Sequence, residues 1–190
     1  MDLFEYSVVQ ALQTLQKGGI ILYPTDTVWG IGCDATNPAA IQRIYQLKRR
    51  SESKSMIILV ADERAILQYT AQPPPTLHDF LEQTDRPTTV IYDNALELPD
   101  ALVHPDGSIA IRIVRERFCK TLIHRLKKPL VSTSANISGT PSPSVFSQIS
   151  KEIFKGVDYV VDYRRDEDVP ATPSRIIRIH ADGSLQIIRE

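Results

Sequence analysis

Leu3, Phe4, Val8, Leu12 and Leu15 fall on one helical face, and Gly18-Gly19 closes the run as a helix C-terminus should. The period then shortens. "IILY" (20–23) reads as a buried strand and "VWGIGC" (28–33) as a second. Asn37-Pro38 reads as an N-cap with proline at the first helical position, and Ile41, Ile44, Tyr45 and Leu47 carry a helix to about Arg50. "MIILVA" (56–61) is the most apolar strand, and Asp62 caps a short helix after it. "PPPTLHDFLEQ" (73–83) reads as a proline-stiffened turn into a helix with Thr76 as N-cap. "TTVIYD" (88–93) and "SIAIRIV" (108–114) alternate as strands, and "ERFCKTLIHRL" (116–126) is an amphipathic helix. "KPLVSTS" (128–134) brings a strand to a polar loop, and Ser144 is placed as the cap of a helix over "VFSQISKEIF" (145–154). "VDYVVDY" (157–163) reads as a strand, followed by a charged loop at 164–168 and a hairpin of "RIIRIH", "ADGS" and "LQIIR". Some strands are separated by helices and others look like hairpin neighbours. The predicted fold class is therefore α/β (α+β), a twisted sheet with parallel and antiparallel pairs flanked by helices, in one domain over 1–190.

Composition narrows the classes. A chain of 190 residues buries enough surface to fold without staples, and its formal net charge of −1 supplies no global basic field for nucleic acid. Cys33 and Cys119 sit far apart in apolar runs and read as reduced core thiols. The N-terminus lacks the organisation of a signal peptide, and no apolar run approaches the ~20 residues of a membrane span, so a cytoplasmic protein is expected.

Three stretches carry chemistry. "YPTDTVWGIGCDA" (23–35) contains G-x-G-x-x-A through Gly30, Gly32 and Ala35, a form of the dinucleotide fingerprint. The next helix starts at Asn37-Pro38, too late to point its N-terminus at a pyrophosphate, and Glu52, near the ribose-acid spacing, lies in a polar loop. The glycines read better as close approach of strands, and Thr25-Asp26-Thr27 as polar groups presented at a strand end. In "LKRRSESK", Lys48, Arg49, Arg50 and Lys54 gather at a helix end, either as a solvated cap or as phosphate donors. "VSTSANISGTPSP" (131–143) is dense in hydroxyls and amide but has no adjacent His or acid, so these groups read as binders rather than nucleophiles. His78, His104, His124 and His180 show no ligand spacing, and no metal site is readable.

Together, "PTDTVWGIGCDA", Lys48-x-Arg50 and Ser134-x-Asn136 resemble the YrdC family of L-threonylcarbamoyl-AMP synthases, from about Gly18 to the end of the chain. One relative in that family lacks the K-x-R and S-x-N signatures, and this sequence keeps both. The resemblance implies a mixed sheet around a large central basic cavity. It implies formation of threonylcarbamoyl-AMP and pyrophosphate from L-threonine, bicarbonate and ATP with Mg²⁺. A partner transferase would then deliver the group to tRNA, and a direct contact with tRNA or double-stranded RNA is a further expectation. An RNA-binding protein of the same fold without synthase activity is the alternative. By the same resemblance, Thr25, Arg112, Ser132 and Ser174 would contact threonine. Lys48, Arg50, Ser108, Ser134, Asn136, Ser142 and Arg189 would contact the nucleotide, with Lys48 and Arg50 on its phosphates. The sequence departs from the family pattern at Ser51 (usually proline), Leu59 (often histidine), "DRPTTV" and the 162–175 loop, where Arg175 replaces a threonine. Any lid is expected to come from the chain's own loops.

Overall fold

A computed structural model describes residues 1–51, 56–71, 76–180 and 182–190, without the side chains of residues 76, 78 and 79. The proline turn before Thr76, the cap at Thr76, Glu52 and Lys54 therefore lie outside the described residues.

Helix α1 (Leu3–Gln16) starts where Asp2 accepts from the Glu5 amide and ends shortly before Gly18, whose φ of +77° suits the turn into strand β1 (Ile21–Tyr23). Strand β2 (Gly30–Gly32) returns antiparallel to β1. Gly32 is required there: a Cβ would stand 2.1 Å from the Val131 carbonyl of the neighbouring strand. Helix α2 (Pro38–Lys48) has the Asn37 cap, with Ala40 N donating to Asn37 Oδ1, and ends at Arg49 in the left-handed region. Strand β3 (Ile57–Val60) leads through the Asp62-capped turn into the short helix α3 (Ile66–Tyr69). Then come α4 (Thr76–Gln83), β4 (Thr88–Tyr92), β5 (Ile109–Ile113), α5 (Arg117–Leu126) and β6 (Leu130–Ser134).

The next helix corrects the sequence reading. Ser144 caps nothing; its hydroxyl meets Gln148 Oε1. A 3-10 turn at Phe146–Gln148 is broken by extended backbone at Ile149, and α6 (Lys151–Gly156) starts afresh with Ser150 as its cap. Burial of Ile149 and Ile153 explains the break, because each side of it delivers an apolar residue to the core. Strand β7 (Tyr159–Val160) is shorter than "VDYVVDY" suggested, and β8 (Arg175–Ile179) and β9 (Leu185–Arg189) form the expected hairpin.

The strands make one sheet in the order β7-β1-β2-β6-β3-β5-β4-β8-β9. The pairs β1·β7, β3·β5 and β4·β8 are parallel and the others antiparallel, as the mixed reading required. Register divides the sheet into two faces. Ile58, Val90, Ile111 and Ile177 share one face and are nearly fully buried, in one apolar cluster with the inward residues of α1, α2 and α5. Ile57, Leu59, Ala110, Arg112, Ile91, Ile176 and Ser132 share the other. Cys33 and Cys119 are buried and unbridged, and burial pushes both thiols up in pKa. Among the described residues no helix is long and apolar enough to cross a membrane.

Candidate active site

The second face of the sheet carries a cleft of about 330 Å³, at the small end of ligand-site volumes. Its walls come from separate parts of the sheet. Thr27, Val28, Trp29 and Gly30 enter from the β1–β2 connection and β2, and Ser132, Thr133, Ser134 and Ser142 from β6 and its loop. Ser174, Ile176, Ile188 and Arg189 close the opposite side from β8 and β9. Arg50, Arg112 and Arg189 bring three guanidinium groups to this space, and among the described residues no carboxylate lines it. Burial lowers the pKa of Arg50, and burial followed by repulsion from Arg112 lowers that of Arg189. These partly desolvated cations, two of them repelling, favour an anionic guest.

Arg112 is the sharpest feature. It is 3% exposed, and its Nε has no hydrogen-bond partner. Asp26 Oδ1 lies 3.1 Å from its Nη2, yet is not aligned for a hydrogen bond; Asp26 Oδ2 instead accepts from the Arg115 amide. On the neighbouring strand the residue opposite Arg112 is the apolar Leu59, whose side chain offers no acceptor. A buried donor left unmade costs about 1–3 kcal/mol, so the fold keeps this guanidinium ready for an acceptor entering the cleft.

The expected residues divide into cleft lining and support. Arg50, Arg112, Ser132, Ser134, Ser142, Ser174 and Arg189 line the cleft. Ser142 Oγ is buried without a partner, while Ser174 Oγ is 2.8 Å from Thr89 Oγ1 and the Ser174 carbonyl accepts from Arg189 Nη2 at 2.7 Å. Thr25 is 2% exposed and builds a turn: its Oγ1 donates to the Val28 carbonyl at 2.8 Å and accepts from the Thr27 amide at 3.0 Å. It is Thr27 that reaches the cleft. Lys48 lies beneath the Ser134–Asn136 loop, with Nζ on the carbonyls of both residues, and does not line the cleft. Asn136 ties that loop to itself through Ile137 and Thr140. Ser108 is placed elsewhere. Its amide and hydroxyl both bond Asp106 Oδ1 in a turn before β5, about 13 Å along the strand from Arg112.

Sequence reasoning presented Thr27 at the strand end beside Thr25 without assigning it a contact, and gave no site role to Trp29 or Arg164. Trp29, the only tryptophan, packs on Phe146 with ring centres 4.6 Å apart and forms part of the cleft wall. A lone large aromatic in a polar, glycine-flanked stretch was the available signal. Arg164 donates to the Thr25 carbonyl at 3.1 Å and stands 3.6 Å from Glu116 Oε1, so the charged 164–168 loop braces the threonine turn from behind. Burial raises the Glu116 pKa, and the carboxyl caps α5 through the Cys119 amide. No sequence pattern announced that long-range brace. The large central cavity expected from the resemblance is not what this face shows: among the described residues it carries an open cleft of about 330 Å³.

The family model described as "Telomere recombination", covering Sua5, YciO and YrdC proteins, matches residues 13–190. A curated protein of Methanocaldococcus jannaschii is 34% identical over 98% of this chain and 88% of its own length. The threonylcarbamoyl-AMP synthase of Vibrio parahaemolyticus is 33% identical over 80% of this chain and 82% of its own. The crystal structure of P. abyssi Sua5 complexed with L-threonine superposes with a TM-score of 0.81 at 22% identity. That match covers 92% of this chain but about half, 51%, of the Sua5 chain, and it supports the fold alone. The match over residues 13–190, with relatives of this identity and coverage, places the chain in the Sua5/YciO/YrdC family.

Proposed function

We propose that the protein is an L-threonylcarbamoyladenylate synthase, a nucleotidyltransferase that makes threonylcarbamoyl-AMP and pyrophosphate from L-threonine, bicarbonate and ATP. The observation that carries this reading is the buried Arg112, with an unmade Nε donor on a cleft that holds two further arginines and, among the described residues, no carboxylate. Such a site suits two anions, an amino-acid carboxylate and a polyphosphate.

In the proposed reaction the threonine amine condenses with bicarbonate to a carbamate, losing water. A carbamate oxygen then attacks the α-phosphorus of ATP and pyrophosphate leaves. The protein forms no covalent bond, so its contribution is positioning and charge stabilisation. Arg112 takes the threonine carboxylate, with Thr27, Ser132 and Ser174 around it. Arg50 and Arg189 offset charge on the phosphates, and Ser134 and Ser142 supply hydroxyl donors to the nucleotide. With no acidic lining residue among those described, Mg²⁺ enters with ATP as part of the substrate, held by phosphate and water. The mixed anhydride formed is open to hydrolysis, which gives a walled site its value. Its consumer is an acyl-type transferase acting on an RNA amine, and a cytoplasmic setting belongs to the same proposal. The RNA-binding alternative gains nothing from the geometry, because the three arginines converge in one cleft.

Supplying L-threonine, bicarbonate and Mg-ATP and measuring pyrophosphate tests the reading. Release is expected only when both threonine and bicarbonate are present. Release indifferent to either one, or none at all, overturns it.

A further inference from the structure

We propose that Lys48 is a positioning residue: its ammonium gathers the carbonyls of Ser134 and Asn136, fixing the loop that walls the cleft, and does not touch the triphosphate. The inference rests on the synthase reading above for the identity of the ligand, but its geometry stands in the free protein.

Lys48 is the last residue of α2 and is 1% exposed. Its Nζ donates to the Ser134 carbonyl, to the Asn136 carbonyl at 2.6 Å and, at the limit of bonding distance, to Asn136 Oδ1 at 3.5 Å. An ammonium has three protons and no acceptor, so these bonds exhaust it. The main chain of the same residue adds a fourth tie, because the Lys48 carbonyl accepts from the Ser138 amide at 2.8 Å. Asn136 passes the constraint on: Oδ1 accepts from Ser134 Oγ, and Nδ2 donates to the carbonyls of Ile137 and Thr140. One side chain therefore organises the segment from Ser134 to Thr140, which carries Ser134 into the cleft and leads to Ser142.

The K-x-R pair splits at this point. Arg49 turns into the left-handed region with φ of 50°, Lys48 stays under the loop, and Arg50 emerges on the cleft wall. For Nζ to reach a phosphate it would have to abandon three acceptors at once; the Ser134 carbonyl would keep only the Asn136 amide, Asn136 Oδ1 only the Ser134 hydroxyl, and the part-buried Asn136 carbonyl would lose this donor. All three acceptors are neutral. Burial first, and repulsion from Arg50 second, bring the Lys48 pKa down to about 7, as befits a cation held by dipoles. The acceptors surround a point, which suits a compact ammonium and not a planar guanidinium.

Lys48→Met, Lys48→Arg and Arg50→Ala separate positioning from contact. Positioning predicts that amide hydrogen exchange at 134–140 in the ligand-free protein speeds up on the order of tenfold in Lys48→Met and is not restored in Lys48→Arg. It also predicts that the Kd for inorganic pyrophosphate changes less than about threefold in Lys48→Met, while Arg50→Ala weakens it about tenfold or more. Overturning results are unchanged loop exchange together with a pyrophosphate loss equal to that of Arg50→Ala, or rescue by Lys48→Arg. Should Lys48→Met fail to fold, a wild-type structure with a non-hydrolysable ATP analogue decides. Nζ still on the Ser134 and Asn136 carbonyls bears the inference out, and Nζ within bonding distance of a phosphate oxygen overturns it. The exchange readout needs no substrate, so failure of the synthase reading leaves it intact.

Discussion

The two walls of the cleft are built on different terms. The wall from β2 and β6 lies inside the sheet, and its supporting groups are bonded before any ligand arrives, with the Ser142 hydroxyl left unpartnered: Thr25 to Val28, Lys48 to Ser134 and Asn136, Asn136 to Thr140. The wall from β8 and β9 is the sheet edge. Every residue of β9 is exposed, and the guanidinium of the cleft-lining Arg189 is held through Ser174. The first wall is pre-organised, and disturbing it costs both stability and rate. The second contributes charge from a hairpin at the margin of the fold, so disturbing it costs affinity. Arg112 stands between them on β5, with its donor unmade.

The largest effect is expected where the walls meet. Arg112→Ala removes a desolvated guanidinium that would hold the threonine carboxylate and so position the amine, and kcat/KM for threonine should fall about 10²–10³-fold, or about 3–4 kcal/mol. The loss should appear chiefly in threonine titrations, with KM for ATP within a few-fold of wild type. An equal rise in both KM values would mean that Arg112 holds the fold of the cleft rather than the carboxylate.

Thr25→Val comes next and belongs to the pre-organised wall. The valine leaves the Val28 carbonyl and the Thr27 amide without their partner, which should cost about 1–3 kcal/mol in urea or thermal unfolding. The threonine KM should rise as well, because Thr27 loses its support. A rise in KM with unchanged stability would return Thr25 to the role of a direct substrate contact.

The same contrast explains what was legible in the sequence. Elements with a local signal were readable: the α1 period with its glycine stop, the Asn37-Pro38 cap, and the β8–β9 hairpin with its turn. The helix start near Ser144 misled because Ser144 stands directly before the apolar Val145 and Phe146, whereas Ser150, the actual cap, is followed by Lys151 and Glu152, and the extended, buried Ile149 separates the two. At the site, residue types were legible and orientations were not. Arg50 and Lys48 are two residues apart, yet a left-handed Arg49 sends one into the cleft and the other beneath it. The Asp26–Arg112 and Arg164–Thr25 contacts join distant segments, the second across 139 residues, and no local pattern encodes them.

Arg189→Ala probes the edge wall and should be milder. Its Nη2 bonds the Ser174 carbonyl at 2.7 Å and, weakly, the Ser174 hydroxyl at 3.4 Å. The expected result is a rise of about three- to tenfold in KM for ATP, with unfolding within about 0.5 kcal/mol of wild type, as for a surface substitution. A loss of stability matching that of Thr25→Val would erase the distinction between the walls.

The most direct reading of the buried wall is a pH slope, modest over any one pH unit. Lys48 has a pKa of about 7 in the folded protein against 10.5 as the ordinary value, because burial and then Arg50 disfavour its charge. Between those values the unfolded chain binds more protons than the folded one, so this group makes stability rise with pH, by at most about 1.4 kcal/mol per pH unit. Below about 7 both states hold the proton; the slope vanishes and the cost of the buried charge is fully present. Urea unfolding of wild type and Lys48→Met from neutral to alkaline pH isolates this contribution, since the other titrating groups are common to both. The wild type should gain on the Lys48→Met variant as pH rises, even while the loss of one donor loosens the loop and slows turnover. A wild-type advantage that shrinks with pH instead would show that the clamp bonds outweigh desolvation, and that the central wall is held by charge rather than in spite of it.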